Sequence, residues 1–235
     1  MKQIDKNDVN ISQLFNWGTD FEINTPKGKT TFWMKVIGDA DLNRARVYGL
    51  RQSAVLRKKL KDKESDERLA LVPDFDTTEK EKIVEAILLY KVSDLTNDAQ
   101  KKLNLKYPQE PDSDAKLADH EAYQKELDAW PEHVETELRK AYNKEVGLEK
   151  KRLNKFSEEE LLAEYEETLI NKLCEGEFLR GFQEMCIFYA SFVDEDYTKP
   201  LFESIEDFQN LPTATKEKFF VFYTTLNIPT EDLKK

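Results

Sequence analysis

The stretch at residues 157–193, SEEELLAEYEETLINKLCEGEFLRGFQEMCIFYASFV, predicts one long helix that begins polar and ends in a core. Ser157 followed by Glu160 is a capping-box pattern, in which two side chains bond the free backbone N–H groups of the first turn. Apolar residues then recur at spacings of three and four. Because the closing run MCIFYASFV is apolar on nearly every face, other elements must enclose it.

Two glycines and two cysteines lie within this helical pattern. Gly176 and Gly181 each disfavour a helix interior, so they are expected to mark a kink or a close crossing by another helix. Cys174 and Cys186 would lie about 18 Å apart along a continuous helix, too far for a disulfide. We expect reduced cysteines that act as small core residues in a reducing compartment.

The composition favours exposed helices over sheets. Of 235 residues, 35% are charged and only seven are glycine, and the net charge is −11. Such a charge disfavours general attraction of the whole molecule to nucleic acid or to an anionic membrane. The first residues, MKQIDKNDVNISQLF, lack the apolar segment of a signal peptide, so we expect a cytoplasmic protein.

Residues 21–37 give the one convincing strand pattern. FEINT and KTTFWMKVI are rich in β-branched and aromatic residues, and they flank the turn signal PKG. A lone hairpin is marginal in water, so it should lie against the helical core. The alternative is a docking edge for strand addition by a partner. Residues 1–20 are expected to form an arm that packs on another surface.

A basic helix is predicted at residues 39–63. Two acidic residues lie at its start, as the helix dipole favours. One apolar face is expected, formed by Leu42, Ala45, Gly49, Leu56 and Leu60. Residues 44–63 hold eight basic residues and one acidic residue, a net charge of +7, so the remainder of the chain carries −18.

The charge asymmetry makes this helix the candidate partner-binding site. Its candidate residues are Arg44, Arg46, Arg51, Arg57, Lys58, Lys59 and Lys61. They could pair with the acidic helices of the chain itself, grip an acidic protein partner, or contact nucleic-acid phosphates. No aromatic residue interleaves the cluster at residues 57–63, which disfavours stacking on single-stranded nucleic acid.

The rest of the chain predicts further helices and one break. Asp76 with Glu79 should cap a helix that runs to about residue 91, and Pro108 with Pro111 marks a linker or an exposed turn. The other predicted helices lie at residues 97–105, 114–129, 131–156, 204–211 and 212–226. Those at 114–129 and 131–156 have thin apolar stripes, typical of a projecting pair.

Together these patterns predict a mainly α protein: a multi-helix bundle with a small N-terminal β-hairpin and a projecting helical pair. Three segments are expected, at residues 1–106, 107–156 and 157–235, most simply within one compact domain.

The sequence predicts no catalytic residue, no metal site and no cofactor. The seven glycines form no phosphate-binding loop. His120 lacks the second histidine of a zinc-binding helix, and His133 follows 13 residues later without a nearby cysteine. A nucleophilic pair would require the fold to bring a histidine to Cys186. We therefore expect a non-enzymatic protein.

The layout resembles that of a known class of viral accessory proteins. The β segment TTFWMKVIGDADL leads into the basic helix NRARVYGLRQSAVLRKKL, and LFESIEDFQNLPTATKEKFFVFYTTL follows an acidic helical body. This is similar to the tail assembly chaperones and tail-associated proteins of long-tailed bacteriophages and prophages. The resemblance implies binding to a tape-measure or tail-tube protein during assembly, without catalysis. It places the protein in the bacterial host cytoplasm or in the virion.

Two functions remain as expectations. The first is a protein-binding assembly factor or structural accessory protein without a membrane anchor. The second is a nucleic-acid-associated protein that uses the basic helix at residues 44–63, whose binding should weaken steeply with salt.

Overall fold

The computed structural model describes most of the chain. The described residues are 18–25, 28–72, 79–103, 105–112 and 116–226. Of the N-terminal arm predicted at residues 1–20, residues 1–17 lie outside them, as does the cap residue Asp76, whereas residues 18–20 belong to a β-strand. Backbone contacts divide the chain into two units, Met1–Lys61 with Leu173–Lys235 and Asp62–Lys172. These boundaries differ from the three segments that the sequence suggests.

The first unit contains a small sheet and four helical segments. Its elements are β1 (Gly18–Thr25), β2 (Gly28–Lys35), α1 (Asp39–Lys61), the later part of α6 (Glu158–Ala190), β3 (Ser191–Phe192), α7 (Ile205–Gln209) and α8 (Thr213–Leu226). The described elements of the second unit are all helices. They are α2 (Asp66–Leu71), α3 (Lys80–Tyr90), α4 (Val92–Lys102), α5 (Leu117–Leu153) and the earlier part of α6. The predicted mainly α fold with an N-terminal hairpin is confirmed.

The hairpin turns one face toward the core of the first unit. β1 and β2 are antiparallel, with Phe21 opposite Phe32. Because side chains alternate along a strand, Phe32 and Met34 are buried while the residues on either side of them are more exposed. The ring of Phe21 stacks on Phe222 of α8 at 4.3 Å between centroids, and Phe32 lies 4.7 Å from Phe219. The hairpin therefore lies against helices, as predicted.

The long helix α6 begins as the sequence predicts and ends earlier. Ser157 N donates to Glu160 Oε2 at 2.7 Å, and Glu160 N donates to Ser157 Oγ at 3.2 Å, which completes the predicted capping box. The helix ends at Ala190, because the next two residues form β3. There Ser191 pairs with Met34 of β2. A helical pattern could not anticipate this sheet pairing.

The prediction of two helices at 114–129 and 131–156 is wrong. The structure has the single helix α5, with Pro131 in its interior. Proline removes one backbone hydrogen bond and was therefore expected to begin a helix. On both sides of it, however, the chain is rich in Ala, Glu, Lys and Leu, which favour the helical state. The short helix α2 was not predicted.

A partly buried ion network joins three helical regions of the second unit. Lys91 Nζ lies 2.9 Å from Glu149 and 2.7 Å from Glu164, and Arg152 Nη2 lies 2.8 Å and 2.6 Å from the same carboxylates. The hydrogen bond from Arg152 is the main cause that lowers the pKa of Glu149 to about 2. Burial alone would raise the pKa of Glu164, yet the bonds from Lys91 and Arg152 lower it.

Candidate protein-binding surface on the basic helix

The inner face of α1 is fixed by close packing against α6. Ala45, Gly49 and Leu60 are buried, as the sequence predicts. Gly49 lies so close to α6 that an added Cβ would be 2.6 Å from the carbonyl oxygen of Phe178. This inner contact fixes which side chains of α1 face outward.

The opposite side of α1 combines exposed apolar and basic side chains. Val47, Leu50 and Val55 are 47%, 56% and 55% exposed. Arg51 and Lys58 follow at helical spacing, so that residues 47, 51, 55 and 58 form one stripe with Leu50 beside it. We name these five residues, Val47, Leu50, Arg51, Val55 and Lys58, the outer face of α1.

The first two candidate arginines have partners within α1. Arg44 Nη1 lies 3.0 Å from Asp41 Oδ1, and Arg46 Nη1 donates to Asn43 Oδ1 at 3.4 Å. Both arginines are exposed. Exposed pairs of this kind contribute about 0–1 kcal/mol, so a partner could recruit either cation at little cost.

The remaining candidate cations divide into two groups. Arg57, Lys59 and Lys61 each take part in an interaction within the chain. Arg51 and Lys58 are exposed, and neither forms an ion pair or hydrogen bond with any residue that the structure describes. The structure therefore pairs part of the basic cluster internally and leaves two cations on the outer face.

The outer face has the chemistry of a peptide-recognition surface. Apolar side chains flanked by cations complement an amphipathic helix whose apolar stripe is bordered by carboxylates. Val47, Leu50 and Val55 were missed by the sequence analysis, which considered only the cations on this side of the helix. Their spacing was the signal, because it repeats a second apolar stripe opposite the buried one.

The described residues show neither a cluster of metal ligands nor a membrane-spanning helix. No group of three or more His, Cys, Asp or Glu side chains there could hold a metal ion. His120 and His133 both lie on α5. Within the same part of the chain, no helix has the length and apolarity needed to cross a membrane.

The fold and this surface were compared with known proteins. Comparisons with protein-family models, with curated protein sequences and with solved structures found no match.

Proposed function

We propose that the protein is a non-enzymatic protein-binding factor, and that the outer face of α1 holds an acidic amphipathic segment of a partner protein. One observation carries the proposal: three exposed apolar side chains and two cations without described partners share the outer face of α1 in an otherwise acidic chain. A folded surface gains nothing from exposing this combination to water.

The size of the surface argues for reversible binding. Burying the exposed halves of Val47, Leu50 and Val55 contributes about 1 kcal/mol each. The two cations add attraction that speeds encounter and selects acidic partners. Since association itself is costly, we expect a dissociation constant of about 1 mM to 1 μM for an isolated segment. Weak, reversible binding suits a factor that must release its partner.

The resemblance noted above supplies the partner class. We propose a tail assembly chaperone or structural accessory protein of a phage, with a tape-measure or tail-tube protein as the partner. Long helical partners expose repeated apolar stripes before assembly, and the outer face of α1 suits one such stripe if acidic residues border it.

A binding measurement with designed probes tests the proposal. The first probe is a labelled amphipathic peptide of about 20 residues, long enough to be helical, with a leucine stripe bordered by glutamate. The second replaces each glutamate by lysine, and the third is a single-stranded oligothymidylate. Fluorescence anisotropy should show binding of the acidic peptide alone, weakening as salt rises from about 50 to about 200 mM.

Matched charge reversals then locate the binding. Arg51→Glu with Lys58→Glu should weaken binding of the acidic peptide about ten-fold or more, because two attractions become repulsions. Lys125→Glu with Lys144→Glu makes the same charge change at exposed positions of α5 and should leave binding within about two-fold. Equal losses in both variants would show a general charge effect and overturn the proposed surface.

The same experiment distinguishes the alternative. Binding of the oligothymidylate but not of the acidic peptide, with a steep salt dependence, would replace the proposal with a nucleic-acid-associated function. Binding of no probe would also reject the outer face as a docking surface.

A further inference from the structure

A polar cavity lies within the first unit, beside the crossing of α1 and α6. Its volume is about 280 Å³. Tyr48 and Gln52 of α1 line one side, and Glu184 of α6 lines another. These two residues of α1 lie on its inner side, away from the outer face.

Glu184 is the unusual member of this lining. It is only 6% exposed, and its Oε2 accepts a hydrogen bond of 2.7 Å from Gln209 Nε2. The same amide nitrogen lies 3.3 Å from the hydroxyl of Tyr48. No described residue donates to the second carboxylate oxygen, Oε1. Since no fully buried side-chain oxygen among the described residues lacks a partner, Oε1 keeps some solvent access, and Glu184 is one of the residues that line the cavity.

The cations at the cavity leave Glu184 without a counter-charge. Arg180 pairs with Glu177 at 2.7 Å, and Lys216 donates to the backbone carbonyl of Gln209 at 3.2 Å. Neither forms an ion pair with Glu184. A carboxylate removed from water is costly unless a cation or several donors satisfy it. The cavity therefore offers one carboxylate, that of Glu184, without a cation paired to it.

The charged residues that line the cavity differ in how exposed they are. Glu184 is buried and Lys216 is partly buried, whereas the side chain of Arg180 is 63% exposed. The lining thus combines the nearly enclosed carboxylate of Glu184 with two more accessible cations, and its other carboxylate, Glu177, is already paired with Arg180. Lys216 and Arg180 each retain N–H groups beyond those used in their present bonds.

We propose that this cavity binds a small zwitterion of amino-acid size. The ammonium group of the ligand pairs with Oε1 of Glu184, and its carboxylate group lies toward Lys216 and Arg180. A volume of about 280 Å³ is just below the range of small-molecule pockets, about 300–1,000 Å³, which suits a ligand of this size. The proposal is independent of the outer face of α1 and stands if that surface binds nothing.

Binding of simple probes tests the charge pattern. The common L-α-amino acids are titrated into the ¹⁵N-labelled full-length protein, with ethylammonium and acetate as probes that carry one charge each. At least one amino acid should shift resonances of residues around Glu184. Ethylammonium and acetate should each bind about ten-fold or more weakly than that amino acid, because each makes only one of the two charged contacts.

Three variants assign the contacts. Glu184→Gln keeps the shape and can still accept from Gln209, yet it removes the charge, so binding should fall about ten-fold or more. Lys216→Met should weaken binding of the amino acid without changing that of ethylammonium. Lys218→Met, an exposed neighbour on α8, is the matched control and should change neither.

The outcomes decide the proposal in either direction. Absence of resonance shifts at millimolar concentrations of every amino acid would overturn it. So would ethylammonium binding as tightly as the best amino acid, or amino-acid binding that survives both Glu184→Gln and Lys216→Met. If Glu184→Gln fails to fold, the comparison of charged probes and the Lys216→Met variant still decide whether the cavity binds a zwitterion.

Discussion

Gly49 of α1 and Gly181 of α6 face each other where the two helices cross, and the Cα of Gly49 lies 3.3 Å from the place that a Cβ on Gly181 would occupy. The predicted close crossing at Gly181 is therefore present, whereas Gly176 faces open space. The absence of side chains at both positions lets α1 approach α6 closely enough to enclose the polar cavity beside them.

Replacing Gly49 by alanine should destabilise the first unit. The new Cβ would lie 2.6 Å from the carbonyl oxygen of Phe178 and 3.1 Å from the amide nitrogen of Phe182, and backbone atoms of a long helix cannot yield locally. We expect a loss of about 1–3 kcal/mol in the free energy of unfolding, measured by urea denaturation. Gly176→Ala is the control and should stabilise by about 0.5–1 kcal/mol. An equal gain from both changes would refute the close crossing.

The ion network of the second unit should make stability depend on pH. The pKa of Glu149 falls from 4.5 to about 2 on folding. Well above pH 4.5 the carboxylate is ionised in both states, so its contribution is complete. As the pH falls from 4.5 toward 2, the unfolded chain binds a proton that the folded one does not, and stability is lost. Allowing for solvent screening, we expect a loss of about 1–2 kcal/mol between these limits.

Urea denaturation at a series of pH values checks this dependence with two variants. Glu149→Gln should lower stability at neutral pH and flatten the decline in acid. Glu135→Gln breaks an exposed pair with Arg139 and should leave the pH profile unchanged. A profile that is the same in wild type and Glu149→Gln would show that other groups cause the acid sensitivity.

Phe208 should be among the costliest core residues to truncate. It is fully buried, and its ring meets those of Phe202 and Phe219 at 5.4 and 5.8 Å between centroids. Phe208→Ala should reduce the free energy of unfolding by about 3–5 kcal/mol, because a large cavity remains. The exposed Val221, on the adjacent helix, provides the comparison, and Val221→Ala should change stability by less than about 0.5 kcal/mol.

Reversing the charges of the outer face should leave stability almost unchanged. Because neither Arg51 nor Lys58 pairs with a described residue, Arg51→Glu with Lys58→Glu should alter the unfolding free energy by less than about 1 kcal/mol. Thermal unfolding followed by circular dichroism measures this directly. A large loss of stability would favour the other hypothesis from the sequence, that these charges serve internal pairing.

Both cysteines should resist thiol reagents in the folded protein. Cys174 and Cys186 are buried, and burial raises the pKa of Cys186 although a hydrogen bond with Tyr223 opposes the change. Since the thiolate is the reactive form, labelling by a chromogenic disulfide at about pH 8 should require unfolding. Labelling within seconds without denaturant would contradict the enclosed position of α6.

The sequence predicts best the features that depend on residues close together in the chain. The cap of Ser157 with Glu160, the cap at Ser204 and the buried face of α1 each depend on residues a few positions apart. The strand β3 and the continuous helix through Pro131 depend instead on neighbours distant in sequence or on competing local preferences. Local sequence patterns therefore predicted where helices occur better than they predicted the residues at which the helices begin and end.

The candidate sites likewise combine features that the sequence predicts with features that depend on tertiary packing. Arg51 and Lys58 were candidates from charge alone, yet which cations keep internal partners is decided by the fold. The polar cavity was not predicted at all. Tyr48, Glu184 and Gln209 are spread along the chain, and only tertiary packing brings them together.

The stacking of Phe21 on Phe222 has a consequence for synthesis on the ribosome. About 200 residues separate the two rings, so at about 5–20 residues per second the hairpin emerges some 10–40 s before the helix that covers it. The second unit is one continuous stretch, and its sequence is complete well before α8 is made. The first unit can acquire its native core only after α8 has been translated. A nascent chain stopped before α8 would therefore expose the apolar side of its hairpin to the cell's own folding machinery.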